Sequence, residues 1–131
     1  MTTPPPMTLI DSHCHVHDKK FDPDRAAIFE RAKAAGVAQM ICVGATDYMD
    51  GARAAVAIAE ERDDVFATVG VHPHDVAQMT EADWQELRRL CDHPKVVAVG
   101  ETGLDYYYNH SPPDVQQAAF RRFVRLAHEV K

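Results

Sequence analysis

Residues 9–17 read LIDSHCHVH, an apolar pair followed by an aspartate and three histidines at every second position. Side chains alternate between the two faces of a strand. In an extended segment Asp11, His13 and His15 therefore point one way, while Ser12, Cys14 and Val16 point the other. Two imidazoles projecting together from the end of a buried strand suit one metal ion, held at about 2.0–2.1 Å per bond. A lone histidine is more often a surface or hydrogen-bonded core residue; it is the HxH pairing that favours a metal site. Cys14 has the parity of the opposite face and is not counted as a ligand. His17 shares the parity of His13 and His15 but falls where the strand is expected to have ended.

The rest of the chain repeats a strand and helix pattern without repeating residue identities. Thr8 to Asp11 reads as a strand, and Pro23 with Asp24 opens a helix with Ile28, Phe29, Ala32 and Ala35 on its apolar face, closed by Gly36. Gln39 to Val43 is a second strand, and Asp47 is placed to cap a helix through Ala52, Val56 and Ala59. Val65 to Val71 is a third strand. Thr80 and Asp83 form a capping box for a helix that buries Trp84, Leu87 and Cys91. Lys95 to Gly100 is a fourth strand, and Asp114 opens a last helix expected to face inward through Phe120, Phe123, Val124 and Ala127.

These strands are continuously apolar, as parallel strands covered on both faces are. Two α/β architectures fit: a doubly wound open sheet, or part of a (β/α)8 barrel of the TIM type. The polar residues favour the barrel. His13 and His15 follow the first strand, His72, Pro73 and His74 the third, and Glu101 and Asp105 the fourth. All lie at carboxyl ends, the mouth where a barrel gathers its catalytic groups. An open sheet usually carries a Gly-rich phosphate loop after its first strand, and LIDSHCHVH contains no glycine.

A carboxylate at Glu101, facing the lumen, is costly unless a cation pairs with it. His72 reads either as a substrate contact or as a hydrogen-bonded structural residue. His74, His93, His110 and His128 read as solvent-exposed or local. Tyr106, Tyr107 and Tyr108 have two readings, stacking on a nucleobase or packing a loop over the mouth.

Bulk properties narrow the class. At 131 residues, 46% hydrophobic and 26% charged, the chain suits one globular domain, expected over residues 8–131 behind a disordered tail at 1–7 stiffened by Pro4, Pro5 and Pro6. The opening MTTPPPM has neither the basic nor the apolar region of a secretion signal, and no run approaches the roughly 18 apolar residues of a membrane span. A cytoplasmic location is expected, with Cys14, Cys42 and Cys91 reduced and buried. The formal charge of −6 speaks against a broad basic face for nucleic acid, although bound cations can supply positive charge locally.

Four segments, taken in order, carry a family resemblance: DSHCHVH at 11–17, VGVHPHD at 69–75, VGETGLDYYY at 99–108 and DVQQAAFRRFVRLAHEV at 114–130. Together they resemble the TatD family of metal-dependent hydrolases, the TatD DNases, within the amidohydrolase-like barrels. The resemblance runs from about Leu9 to the end of the chain. It implies a hydrolase that cleaves DNA phosphodiester bonds, single-stranded or at frayed ends and 3′ to 5′, through two divalent ions (Mg, Mn or Zn). It implies that His13 and His15 hold one ion and that Glu101 bridges it to the second as the catalytic carboxylate. His72 and Asp105 match positions expected near the substrate, with no chemical step assigned to Asp105. A related branch of these barrels bridges its metals with a modified lysine; the glutamate here favours the TatD type.

Two departures stand out. Phe123 occupies a helical position where family members often carry Gln, which touches packing rather than chemistry. Family members are also about twice as long, in keeping with the roughly 250 residues of a complete barrel. The expectation is therefore the first half of a (β/α)8 barrel, four β/α units without the family's remaining ligands, two histidines and an aspartate from later strands. The final helix has no glycine cap or stop signal, which favours a fragment. Two other readings stand beside the nuclease: a metal-dependent hydrolase of a small molecule or C–N bond, and an inactive half-barrel whose open edges invite self-association. No protein partner is expected beyond that.

Overall fold

The computed structural model describes residues 7–130. The tail expected at residues 1–7 lies outside the described residues except for Met7, which is exposed. The chain runs β1 (Leu9–Cys14), α1 (Arg25–Ala34), β2 (Val37–Gly44), α2 (Tyr48–Glu61), β3 (Val65–Val69), α3 (Glu81–Leu90), β4 (Val96–Val99) and α4 (Pro113–Glu129), with short 3-10 turns at Lys19–Phe21 and Val76–Gln78. The four strands are parallel and lie side by side in chain order.

Local chemistry accounts for most of the boundaries. Gly36 takes a φ of 96°, a left-handed turn that closes α1 and accepts the amide of Leu9 through its carbonyl at 2.9 Å. The capping box forms as expected: Asp83 N donates to Thr80 Oγ1 at 3.3 Å, and Thr80 N donates to Asp83 Oδ2 at 2.7 Å. Asp47 does not cap α2 through its side chain. It adopts a φ of 59° and pairs with Lys19 Nζ at 3.0 Å instead. Pro113, rather than Asp114, begins α4, at a position where the missing N–H costs nothing.

Helix α2 packs closely on the sheet because small residues, Gly51, Ala52, Ala55 and Ala59, share its buried face with Met49 and Val56. At Gly51 an added Cβ would stand 1.7 Å from the Thr46 carbonyl oxygen, so only glycine fits. The core joins Cys42, Val65, Ala67 and Val69 of the strands to Met49, Trp84, Leu87 and Phe123 of the helices. The rings of Trp84 and Phe123 meet at 4.6 Å and lock α3 to α4.

The inward face of α4 differs from the expectation. Gln116, Ala119, Phe123 and Leu126 are buried, Phe120 is half-buried, and Val124 and Ala127 are exposed. Of the cysteines, Cys42 is buried whereas Cys14 and Cys91 are only half-buried, and all three are free thiols. Both outer strands leave apolar side chains open, with Ile10 of β1 60% and Val97 of β4 51% exposed.

Candidate metal centre

The strict alternation read for β1 is broken by a bulge, which puts Asp11 on the face of Cys14 instead of the face of His13 and His15. Asp11 is level with Met40 and Cys14 with Cys42, so β1 takes three steps where β2 takes two. Asp11 turns back to accept the His13 amide at 3.1 Å. Cys14 packs toward the helical layer, where its thiol donates to the Ile41 carbonyl at 3.4 Å. Beyond β1 the alternation fails. His17 is buried in the core, with Nδ1 3.2 Å from Cys42 Sγ and Nε2 2.9 Å from Thr46 Oγ1, and burial pushes its pKa down.

His13, His15 and Glu101 converge at the carboxyl ends of β1 and β4, with their ligand atoms all within 4.8 Å of one another. His13 Nε2 lies 3.3 Å from His15 Nε2 and 3.5 Å from Glu101 Oε2. Two ligands on one ion in tetrahedral arrangement stand about 3.4 Å apart when each bond is about 2.05 Å, so the spacing fits a shared cation. The donor set fits as well. His15 donates from Nδ1 to the Val43 carbonyl at 3.0 Å, which leaves the Nε2 lone pair free to ligate.

Glu101 is placed by backbone packing. The Gly100 amide donates to the Val69 carbonyl at 2.9 Å, and Thr68 Oγ1 donates to the Gly100 carbonyl at 2.8 Å. At Gly70 a Cβ would come within 2.8 Å of Gly100 C and 2.9 Å of the Glu101 carbonyl oxygen. Glycine at 70 is what lets this segment lie against the end of β3.

His72 reaches the same centre. Its Nδ1 accepts the His74 amide at 3.2 Å, so Nε2 carries the proton, 3.8 Å from Glu101 Oε1. Glu101 thus presents one oxygen to His13 and the other to His72. Asp105 lies outside this three-residue cluster. It pairs with His74 Nε2 and accepts the amides of Tyr107 at 2.9 Å and Tyr108 at 3.1 Å. The His74 hydrogen bond is the first cause holding its carboxyl below the usual range. His74, expected to be exposed or local, is therefore half-buried and paired with a carboxylate from the next strand's loop. His93, expected to be exposed or local, is half-buried: its ring accepts the Lys95 amide at 3.1 Å and also pairs with Glu60 of α2 at 3.0 Å.

Gln116 and Ser111 were not singled out in the sequence, yet both are fully buried beneath this loop. Gln116 accepts the Asp105 amide at 2.7 Å and donates to the carbonyls of Asp105 at 2.9 Å and Ser111 at 2.7 Å. Ser111 Oγ donates to the His74 carbonyl at 2.8 Å and accepts the Ala77 amide at 3.1 Å. The available signal was a glutamine seven residues before Phe123, on the same stripe of the helix.

The family model described as TatD related DNase matches residues 10–131. The chain belongs to that family. Among its TatD relatives, the Bacillus subtilis protein called uncharacterized metal-dependent hydrolase YabD is 42% identical over 93% of this chain and 47% of its own length. The 3′-5′ ssDNA/RNA exonuclease TatD of Cronobacter sakazakii is 36% identical over 93% of this chain and 46% of its own. The crystal structure of YJJV, a TatD homolog from Escherichia coli K12, superposes with a TM-score of 0.82 at 29% identity, covering 92% of this chain and 47% of that one. The chain thus spans about half the length of the TatD proteins it matches. Its four β/α units are the first half of a TatD-type barrel, with His13, His15 and Glu101 on the carboxyl-end rim.

Proposed function

We propose that the complete protein is a metal-dependent nuclease that hydrolyses phosphodiester bonds of single-stranded or frayed DNA from the 3′ end. The convergence of His13, His15 and Glu101 at one rim of the sheet is the observation that carries this reading. The ions are proposed to be two and divalent, Mg, Mn or Zn. Paired ions of this kind lower the pKa of a water nucleophile and neutralise charge on the phosphoryl group. Such ions also offset the chain's formal charge of −6 where phosphate must enter.

The chain's own residues divide the remaining work. His13 and His15 would hold one ion, with the His15 imidazole oriented by the Val43 carbonyl. Glu101, whose oxygens face His13 and His72 respectively, would be the carboxylate shared by the pair. His72 offers an Nε2 proton toward the same space and orients a phosphate oxygen. Asp105 shapes the substrate side by fixing His74 and the tyrosine turn. The three free thiols fit a reducing compartment, and no helix among the described residues is long and apolar enough to cross a membrane; a cytoplasmic location is proposed.

The deciding experiment uses the complete protein and a 3′-end-labelled oligonucleotide. Mononucleotide release is expected, with loss in chelator and recovery on adding a divalent ion. Metal-dependent turnover of a small amide or ester with intact DNA would favour the alternative hydrolase instead.

Ile10 and Val97, open on the two outer strands, support a second reading for the 131-residue chain by itself: an inactive half-barrel that self-associates. Native mass spectrometry is expected to show dimers or larger species. A stable monomer carrying two ions would overturn this reading.

A further inference from the structure

The loop between β4 and α4 carries aromatic rings that the metal centre does not use. Tyr107 is 87% and Tyr108 62% exposed, although apolar rings of this size usually find cover. Tyr108 lies parallel to His110, with ring centres 5.6 Å apart and an interplanar angle of 5°, and Tyr107 meets it edge-on at 4.7 Å. Asn109, at a φ of 55°, makes the turn that brings His110 beside Tyr108; asparagine tolerates this conformation well.

The cluster connects to the metal centre ring by ring. His74 meets Tyr108 at 5.5 Å and His110 at 4.7 Å, and on its other side meets His72 at 4.2 Å. His72 in turn stands 3.8 Å from Glu101. The loop is also held firmly. Asp105 accepts the amides of both Tyr107 and Tyr108, Gln116 grips both backbone groups of Asp105, and Gln117 donates to the Tyr106 hydroxyl at 2.9 Å. The Asp105 carboxylate beside these rings is itself engaged by His74.

Rigid, exposed rings beside a site that takes phosphodiesters are what sequence-tolerant binding of a single strand requires, because every base offers a π-face. We propose that Tyr108, backed by His110 and flanked by Tyr107, is a stacking platform for a nucleobase of single-stranded nucleic acid entering the metal centre. This rests on the nuclease reading and deepens it: affinity comes from unpaired bases, so paired ends must fray before they are held. It also accounts for binding by an acidic protein, since stacking needs no basic face.

The test uses the complete protein and two fluorescently labelled oligothymidylates, one intact and one with abasic residues at its 3′ end. Anisotropy is read in chelator, where cleavage stops, and end-labelled cleavage is read with divalent ion. The wild type is expected to prefer the intact oligomer. Tyr108→Ala should weaken binding of the intact oligomer by about tenfold and erase most of its advantage over the abasic one, whereas Tyr108→Phe keeps both. An unchanged preference in Tyr108→Ala overturns the platform. So does a fall in melting temperature with the preference intact, because the ring then serves packing against the rest of the barrel. A wild type that binds the intact oligomer preferentially but never cleaves it keeps the platform and sinks the nuclease reading instead.

Discussion

Glu101→Gln in the complete protein is expected to lower metal-dependent nucleotide release by at least about a thousandfold while leaving the melting temperature of the metal-free protein nearly unchanged. The substitution keeps size and hydrogen-bonding capacity but removes the negative charge. An amide offers one neutral oxygen and no charge, so it would hold a cation beside His13 far less well than the carboxylate does. Glu101 is only half-buried, and its side chain makes no hydrogen bond that the fold depends on among the described residues. End-labelled cleavage with and without chelator, alongside thermal unfolding, checks both halves of the expectation. Retained full activity would remove Glu101 from the site. Loss of activity with a matching loss of stability would make its role structural.

Phe123→Ala is expected to have the largest effect on stability, about 3–5 kcal/mol. The side chain is 1% exposed and its ring packs on Trp84 at 4.6 Å, so truncation leaves a cavity where α3 and α4 meet the sheet. Domains hold about 5–15 kcal/mol in all, so this loss is a large fraction. Val124→Ala, on the exposed side of the same helix, is expected to cost less than half as much. Urea unfolding of both variants in the complete protein gives the comparison. Equal costs would mean that α4 does not turn Phe123 inward and Val124 outward.

That contrast follows from the buried face of α4, which the apolar pattern of its sequence only partly marks. Apolar residues at 120, 123, 124 and 127 suggest one inward stripe, yet the buried stripe runs through Gln116, Ala119, Phe123 and Leu126. A buried glutamine is invisible to a hydrophobicity pattern, because its burial is allowed only by partners elsewhere in the fold: the backbone of Asp105 and Ser111. His74 and Asp105 pose the same difficulty. They are separated by 31 positions, and nothing local to either marks the other as its partner. His17 shares the sequence parity of His13 and His15 but is turned into the core once β1 has ended. A period-2 argument holds only where the strand is regular, and the bulge between Asp11 and Cys14 already breaks it.

By itself the sequence determined the order of strands and helices, their parallel arrangement, the family, and the gathering of His13, His15, His72 and Glu101 at strand carboxyl ends. Those properties follow from local periodicity, capping chemistry and motif spacing, all of which are written along the chain. Only the tertiary structure decided which atoms face one another: that His15 is oriented by Val43, that Glu101 turns one oxygen to His13 and the other to His72, and that His74 and Gln116 hold the Asp105 loop with its exposed tyrosines. Such contacts depend on distances between segments far apart in sequence, and those distances exist only once the strands have paired and the helices have packed across them.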